Sequence, residues 1–116
     1  MSKNCVSRNE LFITEVSRVI AENISDPDFN VQTLCEKVQM TERTMLRKMQ
    51  ATAGMSPGSY IKKMRLKYAS LLLRSDTGSI GEIACAVGFK RISYFSKCFS
   101  DFYGIPPRVY KELKQV

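Results

Sequence analysis

Apolar side chains recur along this chain at the three-to-four-residue spacing that puts them on one face of a helix, while the two-residue alternation of a strand is scarce. Ser7 and Glu10 fit a capping box, in which each side chain satisfies a backbone N–H of the first turn, and Phe12, Val16, Val19 and Ile20 follow on one face. That helix is expected to stop near Ser25, where "SDPDFN" joins a proline to turn-forming Asp and Asn. Asn30 can cap a short second helix bearing Leu34, Cys35 and Val38. After the interruption Gln39-Met40, Thr41 can cap a third helix carrying Met45 and Met49 and closed by Gly54. Ser56-Pro57 has the form of an N-cap followed by proline at the first helical position, where a missing N–H costs nothing. The helical pattern then runs unbroken to about Arg74. Tyr60, Ile61, Met64, Tyr68, Leu71 and Leu72 form one stripe on it and Leu66, Ala69 and Leu73 a second, which predicts a helix packed between two neighbours. A second capping box, Ser79 to Glu82, precedes a helix with Ile80, Ile83, Ala84 and Val87 that ends at Gly88. Another helix bears Tyr94, Phe95, Phe99 and Phe102, and a last short one begins at Pro107.

These elements repeat. "GMSPGSYIK" from Gly54 returns as "GIPPRVYK" from Gly104, and the same shift of fifty superposes Met45 on Phe95, Met49 on Phe99, Pro57 on Pro107 and Tyr60 on Tyr110. Within the first helix of each unit the shift is 49, pairing Leu34 with Ile83, Cys35 with Ala84, Val38 with Val87 and Met40 with Phe89, so the second copy has one extra residue in its turn. Each unit is a short helix, a tight turn and a second helix, followed by Gly and a Pro-initiated helix. A small side chain at Cys35 and Ala84 allows two helices to cross closely, as a helix-turn-helix requires. A plain helical bundle with degenerate repeats is the alternative. The expected fold is all-α, with about seven helices: two helix-turn-helix subdomains joined by a long central helix. The expected division is an N-terminal extension over 1–10, the N-terminal helix and first helix-turn-helix over 11–55, the linker helix over 56–75, and the second helix-turn-helix with the C-terminal helix over 76–116.

Composition narrows the function. The 116 residues are 44% apolar, ordinary for a globular chain. No apolar run approaches the roughly 20 residues of a bilayer-spanning helix. The N-terminal residues lack the apolar core of a signal peptide, and a cytoplasmic location is expected. Cys5, Cys35, Cys85 and Cys98 form no CxxC pair and there is no histidine, so no zinc site and no other metal or cofactor is expected; the cysteines read as reduced, mostly buried small hydrophobes. An enzyme is not expected: there is no nucleophile elbow, no Gly-rich phosphate loop followed by Lys-Ser/Thr and no paired acids in a plausible pocket. The net charge of +7 is unevenly spread. Residues 1–40 hold four basic and six acidic side chains, whereas residues 41–116 hold fourteen basic and five acidic. A basic surface that begins with the first repeat points to an anionic partner, nucleic acid before membrane.

The stretches "TLCEKVQMTERTMLRKMQATAGMSPGSYIKKMRLKYA" and "SIGEIACAVGFKRISYFSKCFSDFYGIPPRVYKEL" resemble the DNA-binding domain of AraC/XylS-type transcription regulators. The second is the more specific, through I-A-x-x-V-G-F, Y-F-S-K-x-F and G-I-P-P-x-x-Y at these spacings. The resemblance covers residues from about 11 to 114, and the "SDPDFNVQTL" lead-in is similar to output domains at the C-terminal end of hybrid two-component sensor-regulators. It implies sequence-specific binding of double-stranded DNA for transcription regulation, activation among its forms. The second helix of each unit would enter successive major grooves on one face of the duplex. RNA polymerase is an expected partner and an upstream receiver or sensor domain a possible one. A central helix of 18 residues is about 27 Å long, which with helix widths added matches the roughly 34 Å of one DNA turn. Tandem units in one chain then call for a non-palindromic, directional site.

With Met45 and Met49 turned to the core, Arg43, Leu46 and Arg47 point outward and match positions at which the family reads bases. Arginine can engage guanine O6 and N7 together, and Leu46 can touch a thymine methyl. Glu42 can accept from cytosine N4 or simply suit the positive helix end. Phe95 and Phe99 are the buried pair of the second unit, exposing Ile92, Ser93, Ser96 and Lys97, of which Ser93, Ser96 and Lys97 are the base-side candidates. Thr41, Ser56, Lys62, Lys63, Lys90 and Arg91 are candidates for the DNA backbone. Lys90 and Arg91 lie where the family more often has a short polar cap, an unfavourable pair of cations beside a positive helix end unless a phosphate sits there. A solvated helix face is the alternative for the arginines, and capping alone accounts for Thr41 and Ser56. Gln39 stands where the family often has glycine, so its turn either avoids positive φ or is mildly strained. The weak polarity around Ile92 gives the first reading helix the larger share of sequence discrimination. A basic helical module docking an acidic protein or RNA is the rival function.

Overall fold

The computed structural model describes residues 7–75 and 78–114. The first six residues of the 1–10 extension, Cys5 among them, lie outside the described residues, as do Asp76 and Thr77. The described residues form seven α-helices and no strand: α1 (Arg8–Glu22), α2 (Val31–Val38), α3 (Glu42–Ala53), α4 (Pro57–Arg74), α5 (Ile80–Ala86), α6 (Ile92–Tyr103) and α7 (Pro107–Lys114). Their starts follow from side-chain chemistry. Ser7 and Ser79 each close a full capping box with Glu10 and Glu82, while Asn30 and Thr41 accept from the backbone N–H groups of Thr33 and Thr44. Their ends follow from backbone freedom. Gly54 and Gly104 close α3 and α6 at φ of 69° and 83°, donating to the carbonyls of Gln50 and Ser100.

The chain divides into two compact units, Met1–Asn23 with Phe29–Lys62, and Ile24–Asp28 with Lys63–Val116. In the first, α1, α2 and α3 pack on one another around Val16, Val19, Ile20, Phe29, Leu34, Cys35, Met45, Met49 and Ile61. A 2.7 Å hydrogen bond joins the Ser17 and Tyr60 hydroxyls. In the second, α6 packs on α5 and α7, and Phe95 and Phe99 take the places of Met45 and Met49. Phe99 meets Tyr110 edge-on at 5.2 Å between ring centroids, and Phe95 meets Phe89 in the same way at 5.1 Å. The repeated tyrosine thus serves both units, its hydroxyl bonded to Ser17 in the first and its ring set edge-on against Phe99 in the second.

The apolar stripes of α4 and α6 are only partly buried, and two positions left open by the sequence are settled. Tyr68 and Leu71 of the first α4 stripe are exposed, as are Tyr94 and Phe102 of α6, while Arg65 and Ser70 are buried. Each exposed residue adjoins one that faces inward: Ala69 beside Tyr68, Ser70 beside Leu71, Phe95 beside Tyr94 and Tyr103 beside Phe102. A neighbour is rotated by about 100° on a helix and cannot share that face. The Tyr94 ring leans on Phe89 at 6.0 Å and Phe102 on Tyr103 at 4.8 Å, which shelters part of each. Cys35 and Cys98 are buried, but Cys85 is exposed; all three are free thiols. Gln39 takes the positive-φ course, at φ 57° and ψ 52°, and the Met40 N–H reaches back to the Cys35 carbonyl as the Phe89 N–H reaches that of Ala84.

Candidate nucleic-acid interface

Burying Met45 and Met49 obliges the opposite side of α3 to face solvent, and Arg43, Leu46 and Arg47 are all exposed there. Leu46 is 46% exposed, a large apolar side chain with no core to justify it. Among the described residues no carboxylate pairs with Arg43 or Arg47. Arg18, by contrast, is held by Glu15 at 2.8 Å and Glu22 at 2.7 Å; hydrogen bonding to Arg18 lowers the Glu15 pKa, and the same pairing raises that of Arg18. The α3 face continues to Gln50, exposed one further turn along. Its spacing of seven from Arg43 is the sequence signal that puts it on this face.

The matching face of α6 carries Ser93, Ser96, Lys97 and Ser100, each fifty positions after its α3 counterpart. Ser93 and Lys97 are exposed. Ser96, expected to be exposed, is half-buried, because a short side chain beside Phe95 stays within the border where Leu46 projects beyond it. Ile92 and Tyr94, 54% and 52% exposed, flank this face and make it more apolar than the polar candidates alone suggest. Lys97 pairs with Asp101 at 3.2 Å, an exposed ion pair of the kind worth about 0–1 kcal/mol and readily exchanged for another anion.

The backbone candidates differ in how they are held. The Thr41 hydroxyl accepts from Thr44 N–H at 3.1 Å and donates to the Thr44 hydroxyl; Ser56, half-buried, accepts from Ser59 N–H at 3.3 Å and donates to the Ser59 hydroxyl. Both therefore serve as caps. Lys62 is exposed and Lys63 half-buried. Lys90 pairs with Asp28 at 2.9 Å, and Arg91 occupies the N-cap of α6 without a side-chain hydrogen bond to it. The α6 N-terminus is thus left with its N–H groups uncapped by a side chain and two cations beside it. The described residues contain no cluster of three or more His, Cys, Asp or Glu able to hold a metal, and no helix long and apolar enough to cross a membrane.

This architecture is that of a tandem helix-turn-helix domain, and the helix-turn-helix domain family matches residues 34–113. A transcriptional regulator from Chromobacterium violaceum with an AraC-type DNA-binding domain is similar over 87% of this chain and 89% of that one, at 26% identity and a TM-score of 0.81. The DNA-binding domain of the global transcriptional factor AdpA, solved in complex with a target DNA, matches 86% of this chain and 89% of that one at 26% identity and a TM-score of 0.79. Histidine kinase P4 of Formosa agariphila is 29% identical over 90% of the chain. The chain belongs to the AraC/XylS-type helix-turn-helix DNA-binding domains of transcription regulators. It spans only 8% and 29% of the length of the first two curated relatives it matches.

Proposed function

We propose that this domain recognises a directional, non-palindromic site on double-stranded DNA and thereby directs transcription in the cytoplasm. In this reading α3 and α6 occupy successive major grooves, with 11–55 and 76–116 as the two reading segments and 56–75 as the link between them. Arg43, Leu46 and Arg47 read bases from α3, with Gln50 available to adenine N6 and N7; Ser93, Ser96 and Lys97 read from α6. Thr41, Ser56, Lys62, Lys63, Lys90 and Arg91 grip the phosphates. The observation that carries this reading is the recurrence, at an interval of fifty, of one outward face opposite one buried pair: Arg43, Leu46 and Arg47 opposite Met45 and Met49, then Ser93, Ser96 and Lys97 opposite Phe95 and Phe99. AdpA, a relative in fold, is described as bound to a target DNA, which supports the partner.

The short share of each relative supports placing the domain in a longer regulator, with a receiver or sensor domain ahead of it and RNA polymerase as the partner through which it activates. Selection of duplexes from a randomised pool, followed by footprinting of the winner, tests the proposal. Two unlike half-sites about one helical turn apart, protected on the same side of the duplex, are the expected result. Enrichment of no sequence, or tighter binding to single-stranded RNA than to any duplex, defeats it.

A further inference from the structure

Among the described residues, Arg65 is the only buried charged side chain, at 6% exposure. Its guanidinium donates to backbone carbonyls: Nη1 to Ile24 O at 2.7 Å and Val87 O at 2.8 Å, and Nη2 to Asp26 O at 3.0 Å. These acceptors belong to two segments far apart in sequence, the 24–28 stretch that follows α1 and the C-cap of α5. Burial lowers the pKa of Arg65, with Asp26 opposing the change. Val87 ends α5, so its carbonyl lies at the negative end of that helix, where a cation is favourable.

Gly88 comes next, at φ 89°, and a Cβ there would collide with the Arg65 guanidinium and the Ile24 carbonyl. The positive φ favours glycine here, and the closeness of the arginine and of the Ile24 carbonyl requires it. Two residues on, Lys90 pairs with Asp28, giving the 24–28 stretch a second tie to the turn that leads into α6.

We infer that Arg65 is a positioning residue for the second reading helix: by gathering the Ile24, Asp26 and Val87 carbonyls it fixes where α6 begins, without itself meeting DNA. The inference rests on the reading of α6 as a DNA-contacting helix. Lysine cannot replace this fork, because an ammonium is a point charge on a flexible stem and lacks the fixed, planar array of donors that bridges acceptors on separate segments.

Arg65→Lys in the whole chain tests the inference by two measurements. In amide hydrogen exchange of the free protein, amides of 24–28 and of the first turn of α6 should exchange at least about tenfold faster, beyond what the change in global stability explains, while those of α7 follow global stability. In footprinting, the half-site weakened by Lys97→Ala should lose protection and the half-site weakened by Arg43→Ala should keep it. Uniform acceleration across the second unit, equal loss over both half-sites, or no change in either measurement overturns the inference. Should Arg65→Lys fail to fold, Asp28→Ala, at an exposed position, must give the same local pattern at lower amplitude; unchanged α6 exchange in that variant counts against the inference. If the wild-type chain protects no duplex, the reading of α6 fails, and the exchange measurement alone decides whether Arg65 sets the start of that helix.

Discussion

At the scale of single residues, the repeat supplies its own controls. Gln39 and Gly88 occupy equivalent turn positions, and both have positive φ, 57° and 89°. Only one of them is glycine. A left-handed backbone costs a residue with a Cβ about 1–2 kcal/mol, offset in part by the greater freedom glycine loses on folding, so Gln39→Gly should raise stability by up to about 1 kcal/mol in urea denaturation. Cys35 and Ala84 form a second matched pair, both buried. Burial, reinforced by Glu42 and Glu36, raises the Cys35 pKa above its ordinary 9.0. A folded-state pKa above the unfolded value means the unfolded chain releases this proton first as pH rises. The associated stability is therefore complete below about 9 and is lost as pH climbs from 9 through the folded pKa. Cys35→Ala, whose side chain is the one its counterpart already uses, should remove that part of the alkaline decline. The check is the difference in urea midpoint between the two proteins, followed from pH 8 to 10 (roughly the thiol range). Equal declines would remove Cys35 as the cause.

At the scale of elements, α6 differs from its neighbours at one end. Ser7, Asn30, Thr41 and Ser79 cap their helices with side-chain oxygens, whereas Arg91 makes no such bond. Arg91→Ser should stabilise the free protein by about 0.5–1 kcal/mol through the new cap. The same change should weaken DNA binding if the uncapped end receives a phosphate, a trade visible by comparing thermal melts with binding isotherms. Unchanged affinity would show that the end is merely solvated. The element map was largely legible in the sequence because caps, glycines and prolines act locally: the starts at Ser7, Asn30, Thr41 and Ser79 and the stops at Gly54 and Gly104 depend on side chains within a few residues. The failures share a cause. Tyr68, Leu71, Tyr94 and Phe102 are apolar enough to suggest burial, yet each sits one position from the residue that takes the inner face. The role of Arg65 is not legible in the sequence, because a charge reads as exposed and its acceptors are backbone carbonyls, which carry no residue signature and lie 22 to 41 positions away. The outward face of α3 is legible through Met45 and Met49, and the same period carried one turn further reaches Gln50.

At the scale of the whole molecule, the proposed grip and reading roles make different predictions for the cations. The excess of basic over acidic side chains lies entirely after residue 40, while residues 1–40 are net acidic. Exposed cations in that later region divide into those already paired, Lys90 and Lys97, and those for which no carboxylate partner is found among the described residues, including Arg43, Arg47 and Lys62. A cation that meets a phosphate releases a condensed counterion, so its removal weakens every duplex alike and reduces the slope of log affinity against log salt by about 1. Lys62→Ala should behave so. A cation that meets a guanine edge adds discrimination instead: Arg43→Ala should cost about 1–3 kcal/mol on the selected duplex, much less on a scrambled one, and leave sequence preference reduced at one base pair. Measuring both variants on both duplexes across a salt series distinguishes the two roles. If Arg43→Ala lost equally on the two duplexes with a shallower salt slope, its guanidinium would belong to the phosphate grip, and base reading by α3 would fall to Leu46 and Arg47.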